Sequence, residues 1–306
     1  MALRLQRAGG QRPWVAGRRS SRGLYREGRF TRGSQEPKTA RIMCTIALVH
    51  RVRPGQPLVV AANRDEFYAR PATGPTLLDE RLGVAGGRDH KGGTWLGVTK
   101  NGLFVGLTNQ RTAEPPPPDA RSRGEAVLEC LRAGAAGRDG RAERALERVL
   151  AMDAAEFPPF NLAVGDGDRL FVVYGRADGW QSVELSPGVW VLANDRLDSP
   201  WFPKANRLRA RVAEVVDAPW DALRAELEHF LADTTVPEDV PVDPTSPVPK
   251  EWARALQALC IRTEIYGTRS STIAVVGDGR VEHYGFADGP PDQTPFRDFT
   301  SLLNGA

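Results

Sequence analysis

From residue 44 onward, short apolar runs alternate with turn-forming residues at a spacing that predicts strands first and helices later. Strands are expected over 44–50, 57–63, 83–86, 94–99 and 103–108, with Asn101-Gly102 as a hairpin turn between the last two. Pro115 to Pro118 end regular structure and predict a surface loop. The period then changes. Val127, Leu128 and Leu131 share a face with Cys130 in a helix over 121–133, and Ala145, Leu146, Val149 and Leu150 do so over 141–152. A second strand group follows at 160–165 and 168–174 across Asp166-Gly167, and 181–185 is expected to pair with 189–193. Helices return at 204–216 and 219–231, the latter with Pro219 near its first turn and Asp217 as its cap. Residues 234–250 hold five prolines and predict a long irregular loop. A helix over 250–260 then precedes strands at 261–265, 269–276 and 280–286, the last two joined at Gly277-Asp278-Gly279. Strands, helices, strands, helices, strands is not a βαβ rhythm. It predicts an α+β fold of mainly antiparallel sheets covered by helices, as one domain over 43–306.

Composition changes this picture at one end only. The chain has 306 residues, 41% of them apolar, which excludes a wholly disordered protein. No apolar run approaches membrane-spanning length. The formal charge of +3 hides an asymmetry, because residues 1–42 carry ten Arg and one Lys against Glu27 and Glu36. The rest of the chain is therefore mildly acidic, and no nucleic-acid-binding body is expected. Three readings fit the basic stretch 1–42: sequence upstream of a true start at Met43, a mitochondrial transit peptide, or a disordered basic arm. The first is preferred, because a strand begins directly after Met43. It implies a cytoplasmic protein, and a transit peptide would make it mitochondrial.

The chemistry-bearing residues are scattered. Cys44, Cys130 and Cys260 are odd in number and far apart, so neither a disulfide framework nor a metal knuckle is expected. The four histidines are equally dispersed, and no metal site is expected. Cys130 and Cys260 fall on apolar helix faces and read as core. Cys44 differs by position. With Met43 removed, its α-amine would titrate near working pH and take the thiol proton without a histidine; otherwise it is a buried strand cysteine. Asn63-Arg64-Asp65-Glu66 follows the apolar run Leu58–Ala62 and reads either as a site at a strand end or as a solvated turn. The glycine-rich stretch 83–97 lacks the Lys-Ser/Thr pair of a phosphate loop and reads as paired β turns. Asp166, Asp168 and Asp278 read as hairpin residues. Asn109 and Asn194 each close an apolar strand, where an amide can serve an oxyanion or form a turn. Arg269 opens an apolar strand and can meet a substrate carboxylate or cap the sheet.

In order along 43–287, Met43-Cys44, Asn63-Arg64-Asp65-Glu66, Arg70-Pro71, Gly86-Gly87-Arg88-Asp89, Gly92 to Gly97, Thr108-Asn109, Leu192-Ala193-Asn194 and Tyr266 to Thr272 resemble the NRDE family, the relatives of transport and Golgi organisation protein 2. That resemblance implies links to Golgi organisation, lipid and mitochondrial metabolism, and haem trafficking. The order Cys-Thr, Asn-x-Asp, Gly-Leu-x-Asn and Leu-x-Asn is also similar to the choloylglycine hydrolase and penicillin V acylase group. This second resemblance implies an N-terminal nucleophile hydrolase-like αββα sandwich. By position it makes Cys44 nucleophile and base, and Asp65 the holder of its amine. Asn109 and Asn194 become the oxyanion hole, and Arg269 the arginine near the thiol. Asn63, Arg64 and Arg88 are then the expected substrate-binding residues. The group's arginine before Asn-x-Asp is Ala62 here, with Arg64 two residues on and on the same strand face. The expectation is a hydrolase of a small acyl amide or thioester that uses no cofactor. The alternative is a carrier of haem or a lipid-like ligand on the same scaffold.

Overall fold

A computed structural model of the chain describes residues 44–110, 119–238, 240–241 and 250–304. The chain divides between Gln35 and Glu36. The first unit, the expected tail 1–42 and the prolines 115–118 lie outside the described residues, as does most of the 234–250 loop. In chain order the strands are β1 (Thr45–His50), β2 (Leu58–Phe67), β3 (Ala72–Asp79), β4 (Val84–Asp89), β5 (Leu96–Thr99), β6 (Leu103–Asn109), β7 (Phe160–Gly165), β8 (Leu170–Arg176), β9 (Gly179–Glu184), β10 (Gly188–Leu192), β11 (Tyr266–Gly277), β12 (Arg280–Ala287) and β13 (Arg297–Asp298). The helices are α1 (Arg123–Ala135), α2 (Arg141–Leu150), α3 (Pro203–Val215), α4 (Trp220–Leu231), α5 (Lys250–Ala255) and α6 (Ser301–Asn304).

Two sheets form, and every strand pairing in them is antiparallel. One runs β10-β1-β2-β11-β12-β13, and the other runs β3 to β9 in chain order. Period-2 alternation assigns each strand face to a different core. Ile46, Leu48, Val60, Ala62 and Ala274 point inward to meet Leu96, Val98, Phe104 and Val172 of the facing sheet. The alternate residues Ala47, Val49, Val59, Ile273 and Val275 pack under Leu208 and Val212 of α3 and Leu223 and Leu227 of α4. On the other side, Val105, Leu162, Val164 and Val173 pack under α1 and α2. Helices, sheet, sheet and helices therefore stack as four layers, the αββα sandwich expected from the chain's resemblance. Gly102 turns the β5–β6 hairpin at φ +80°, where a Cβ would meet the Arg280 nitrogen at 2.7 Å.

Several local expectations are corrected. β2 does not end at Asn63 but continues through Phe67, so Asn63 to Glu66 are neither a strand end nor a solvated turn; all four are buried. Strand 181–185 does not pair with 189–193. β9 extends the second sheet beside β8, and the chain then crosses to the first sheet, where β10 pairs β1. Residues 261–265 form no strand, only an isolated bridge from Arg262 to Gly267. α5 ends at Ala255, so Cys260 is buried in the following turns rather than on a helix. Asp217 does not cap α4, whose N-cap is Pro219 without a side-chain bond.

Candidate active site

Cys44 precedes β1 by one residue, at the end of the first sheet that faces the start of α1. There a cleft of about 310 Å³ opens, with Cys44, Arg64, Glu66, Trp95 and Asn109 in its lining and the α1 entry, Arg121 to Gly124, as its wall. The wall comes close because two glycines meet. A Cβ on Gly93 would lie 2.6 Å from the Gly124 carbonyl carbon, and one on Gly124 would lie 2.8 Å from Asp89 Oδ2. Thr94 N donates to Gly124 O across this contact at 3.1 Å.

Burial pushes the Cys44 thiol up to about 12, and the negative Asp65 adds to the shift. The Asp65 backbone N–H bonding the sulfur, and the Arg64 charge, act the other way. The Asp65 side chain is fully buried on the helix-facing side of β2. Its Oδ1 accepts from Thr268 Oγ1 at 2.6 Å, and its Oδ2 lies 3.8 Å from Lys204 Nζ. Burial pushes its carboxyl up to about 6, against the opposing pull of Lys204, Thr268 and Arg64.

Asn109 closes β6 and lines the cleft. Asn194 lies two residues past β10, and its Nδ2 donates to the Asn109 carbonyl at 2.7 Å. The two sheets are stitched behind this pair. Thr108 Oγ1 donates to Ala193 O at 2.6 Å, and Asn161 Nδ2 reaches Thr108 Oγ1, Ala193 O and Asp195 O at 3.0 to 3.2 Å. A buried amide network of this kind fixes the loop that carries Asn194.

Alternation along β2 separates the four residues of the Asn-Arg-Asp-Glu segment. Arg64 and Glu66 face the cleft, with Arg64 Nη2 3.7 Å from a Glu66 carboxylate that Arg70 holds at 2.9 Å. Asn63 lies outside the cleft. Its Nδ2 donates to Leu231 O and Leu259 O, both at 2.9 Å, and its Oδ1 accepts from Ser271 Oγ at 2.5 Å. Arg269 lies outside it too. The register of β11 on β2 shifts between Thr268 and Ser270, leaving Arg269 as the bulged residue. Its guanidinium turns to the Tyr68 carbonyl at 3.2 Å and sits over the Tyr68 ring. Arg88 is exposed and borders a shallow hollow beside the cleft, shared with Arg64 and Ser270. The structure thus gathers Cys44, Arg64 and Asn109 in one lining, seats Asp65 and Asn194 directly behind them, and disperses Asn63, Arg88 and Arg269.

Sequence reasoning missed Lys204, Asn161 and the α1 wall. Lys204 carried a legible signal: it lies on the stripe with Leu208 and Val212, the buried face of α3. Asn161, inside the apolar run of β7, offered a weaker one. Among the described residues no cluster of His, Cys, Asp or Glu is arranged to hold a metal ion, and no helix is long and apolar enough to cross a membrane.

The family model for transport and Golgi organisation 2 matches residues 43–284. The transport and Golgi organization protein 2 homolog of Bos taurus is 33% identical over 261 residues, covering 78% of this chain and 91% of that protein. The Homo sapiens homolog is 32% identical with the same coverage, and the Drosophila melanogaster protein is 26% identical over 266 residues, covering 79% and 90%. Among solved structures, a conjugated bile acid hydrolase from Clostridium perfringens is similar with a TM-score of 0.43 at 10% identity, covering 84% of this chain and 96% of that one. A Caenorhabditis elegans ortholog of N-acylethanolamine-hydrolyzing acid amidase gives 0.38 at 12%, covering 76% and 92%.

Proposed function

We propose, for a chain that belongs to the transport and Golgi organisation 2 family, that Cys44 is the nucleophile of an N-terminal nucleophile hydrolase cleaving a small acyl amide or thioester. One observation carries the reading: Cys44 lines the cleft together with Asn109, and the Asp65 backbone N–H bonds its sulfur. In the form beginning at Cys44, the α-amine takes the thiol proton and Sγ attacks the substrate carbonyl carbon. Asn109, aligned by Asn194, donates to the oxygen that becomes negative. The amine returns the proton to the departing nitrogen or sulfur as its bond to carbon breaks. Water then hydrolyses the acyl-thioester on Cys44 by the same proton route. Arg64, and not Arg269, is the arginine beside the thiol in this reading, and it offers a positive charge to the substrate.

The test compares protein beginning at Cys44 with protein retaining Met43, on a panel of N-acyl amides and acyl thioesters. Turnover is expected only in the first. Cys44→Ala should abolish it and leave the melting temperature within a few degrees, because a small buried side chain is replaced. Turnover that survives Cys44→Ala, or that persists with Met43 attached, overturns the reading.

A second reading is carriage of haem or a lipid-like ligand without turnover, since the raised thiol of Cys44 weighs against it as a nucleophile unless the α-amine is free. With Met43 attached, Cys44 keeps its proton at neutral pH and has an amide in place of a base. Saturable one-to-one binding of haemin or a fatty acyl probe by this form, with no release of product, is the outcome that separates the two.

A further inference from the structure

We propose that Lys204 is a positioning residue for the Cys44 centre, its buried ammonium fixing the charge of the carboxylate of Asp65, the residue whose backbone N–H bonds the thiol. The proposal rests on the hydrolase reading above and extends it to a residue on a different element. Lys204 is the second residue of α3 and sits at the head of a stripe that continues through Leu208 and Val212. An apolar side chain at 204 would complete that stripe at no desolvation cost. A lysine is almost never fully buried unless it is paired. Here both the Lys204 and Asp65 side chains have no exposed surface, and Nζ lies 3.8 Å from Oδ2.

The groups facing Asp65 define what the cation can do. From β11, Thr268 Oγ1 donates to Oδ1, and Thr268 in turn neighbours the Cys260 thiol. From β2 come Arg64 and Glu66, of opposite sign, and from the start of β1 comes Cys44. From α3 comes Lys204. A buried carboxylate without a counter-charge would take up a proton at neutral pH and stop accepting a hydrogen bond from the Cys44 amine. One that stayed ionised without a counter-charge would hold that amine as ammonium and remove the base. The Lys204–Asp65 pair avoids both. The carboxylate stays available as an acceptor while the pair as a whole is neutral, so the amine can lose its proton near pH 7.

The measurement is the infrared carboxyl band of Asp65, taken as the difference from Asp65→Asn, followed against pH in protein beginning at Cys44. In Lys204→Met the protonation midpoint should rise by about one pH unit or more, and Lys204→Arg should return it. If Lys204→Met does not fold, Lys204→Gln reads the same shift. The acid limb of kcat/KM should move with the midpoint while KM stays within about twofold. A midpoint that does not move overturns the proposal, and so does an acid limb that stays fixed while the midpoint moves. If the unsubstituted protein turns over no amide or thioester, the hydrolase reading fails, and the infrared midpoint still decides whether Lys204 governs Asp65.

Discussion

At the scale of single residues, Asp65 is where pH enters the folded molecule. Burial holds its carboxyl protonated up to about 6, against an ordinary value of 3.8. Between those values the folded chain binds a proton that the unfolded chain has released. Unfolding then gives up a proton, so the stability contributed by this group falls as pH rises through the window. The expected outcome is a difference in urea unfolding free energy, native minus Asp65→Asn, that slopes downward from about pH 4 to about pH 6 and is level above it. A difference that is level throughout would show Asp65 titrating as it does in the unfolded chain. Cys44 adds nothing to that slope. Its thiol is raised from 9.0 to about 12, so its protonation is the same in both states across the acid range. Two titratable groups of one site thus give separable signals.

At the scale of elements, β2 does two jobs on two faces. Its helix-facing residues Asn63 and Asp65 tie the strand to Leu231 at the end of α4, to Leu259, and to β11, while Arg64 and Glu66 face the cleft. Substitutions one residue apart should therefore separate cleanly. Asn63→Ala strands two carbonyls and a hydroxyl in the interior and should cost at least about 2 kcal/mol by urea unfolding, with ligand affinity in the cleft unchanged. Arg64→Leu should do the reverse, weakening an anionic ligand at least about tenfold with little loss of stability. Equal effects of both variants on binding would refute the division of faces. This division was only half legible in the sequence. The four polar residues were visible as a cluster, and the apolar run before them was visible as a strand. The strand's continuation was not, because the groups that satisfy it, Thr268, Ser271 and Lys204, lie 139 to 208 residues away in the chain. β3 was hidden for a related reason. Thr73, Gly74 and Pro75 break its apolar pattern, and an edge strand needs few buried side chains. Residues 181–185 and 189–193 are separated by Ser186-Pro187-Gly188, turn chemistry that suits a crossover between sheets as well as a hairpin, so the sequence does not decide their partners. Cys44 was legible because it follows Met43, and Asn109 because it closes an apolar strand.

At the scale of the whole molecule, the cleft exists only because two separately hydrogen-bonded sheets are held at one end in a fixed relation. Apolar contact in the central core is non-directional and sets the spacing of the sheets but not their alignment along the strands. Alignment at the cleft comes from the polar clip in which Thr108 and Asn161 of the second sheet grip the 193–195 segment that leaves β10. Asn161 is fully buried and lines no part of the cleft. Asn161→Leu keeps the side-chain volume but removes the donors, leaving Ala193 O and Asp195 O short of partners. The expected cost is about 1–3 kcal/mol in urea unfolding. The informative comparison is Val164→Ala, in the outer core beneath α1 and α2 on the same strand, which also destabilises by creating a cavity. If the clip sets alignment, Asn161→Leu should change the alkylation rate of Cys44 by a small neutral reagent several-fold, because Asn194 and Asn109 lose their register across the cleft. Val164→Ala should leave that rate unchanged. A common change in both variants would mean that Cys44 reports global stability, and the clip would then be one more buried contact among many.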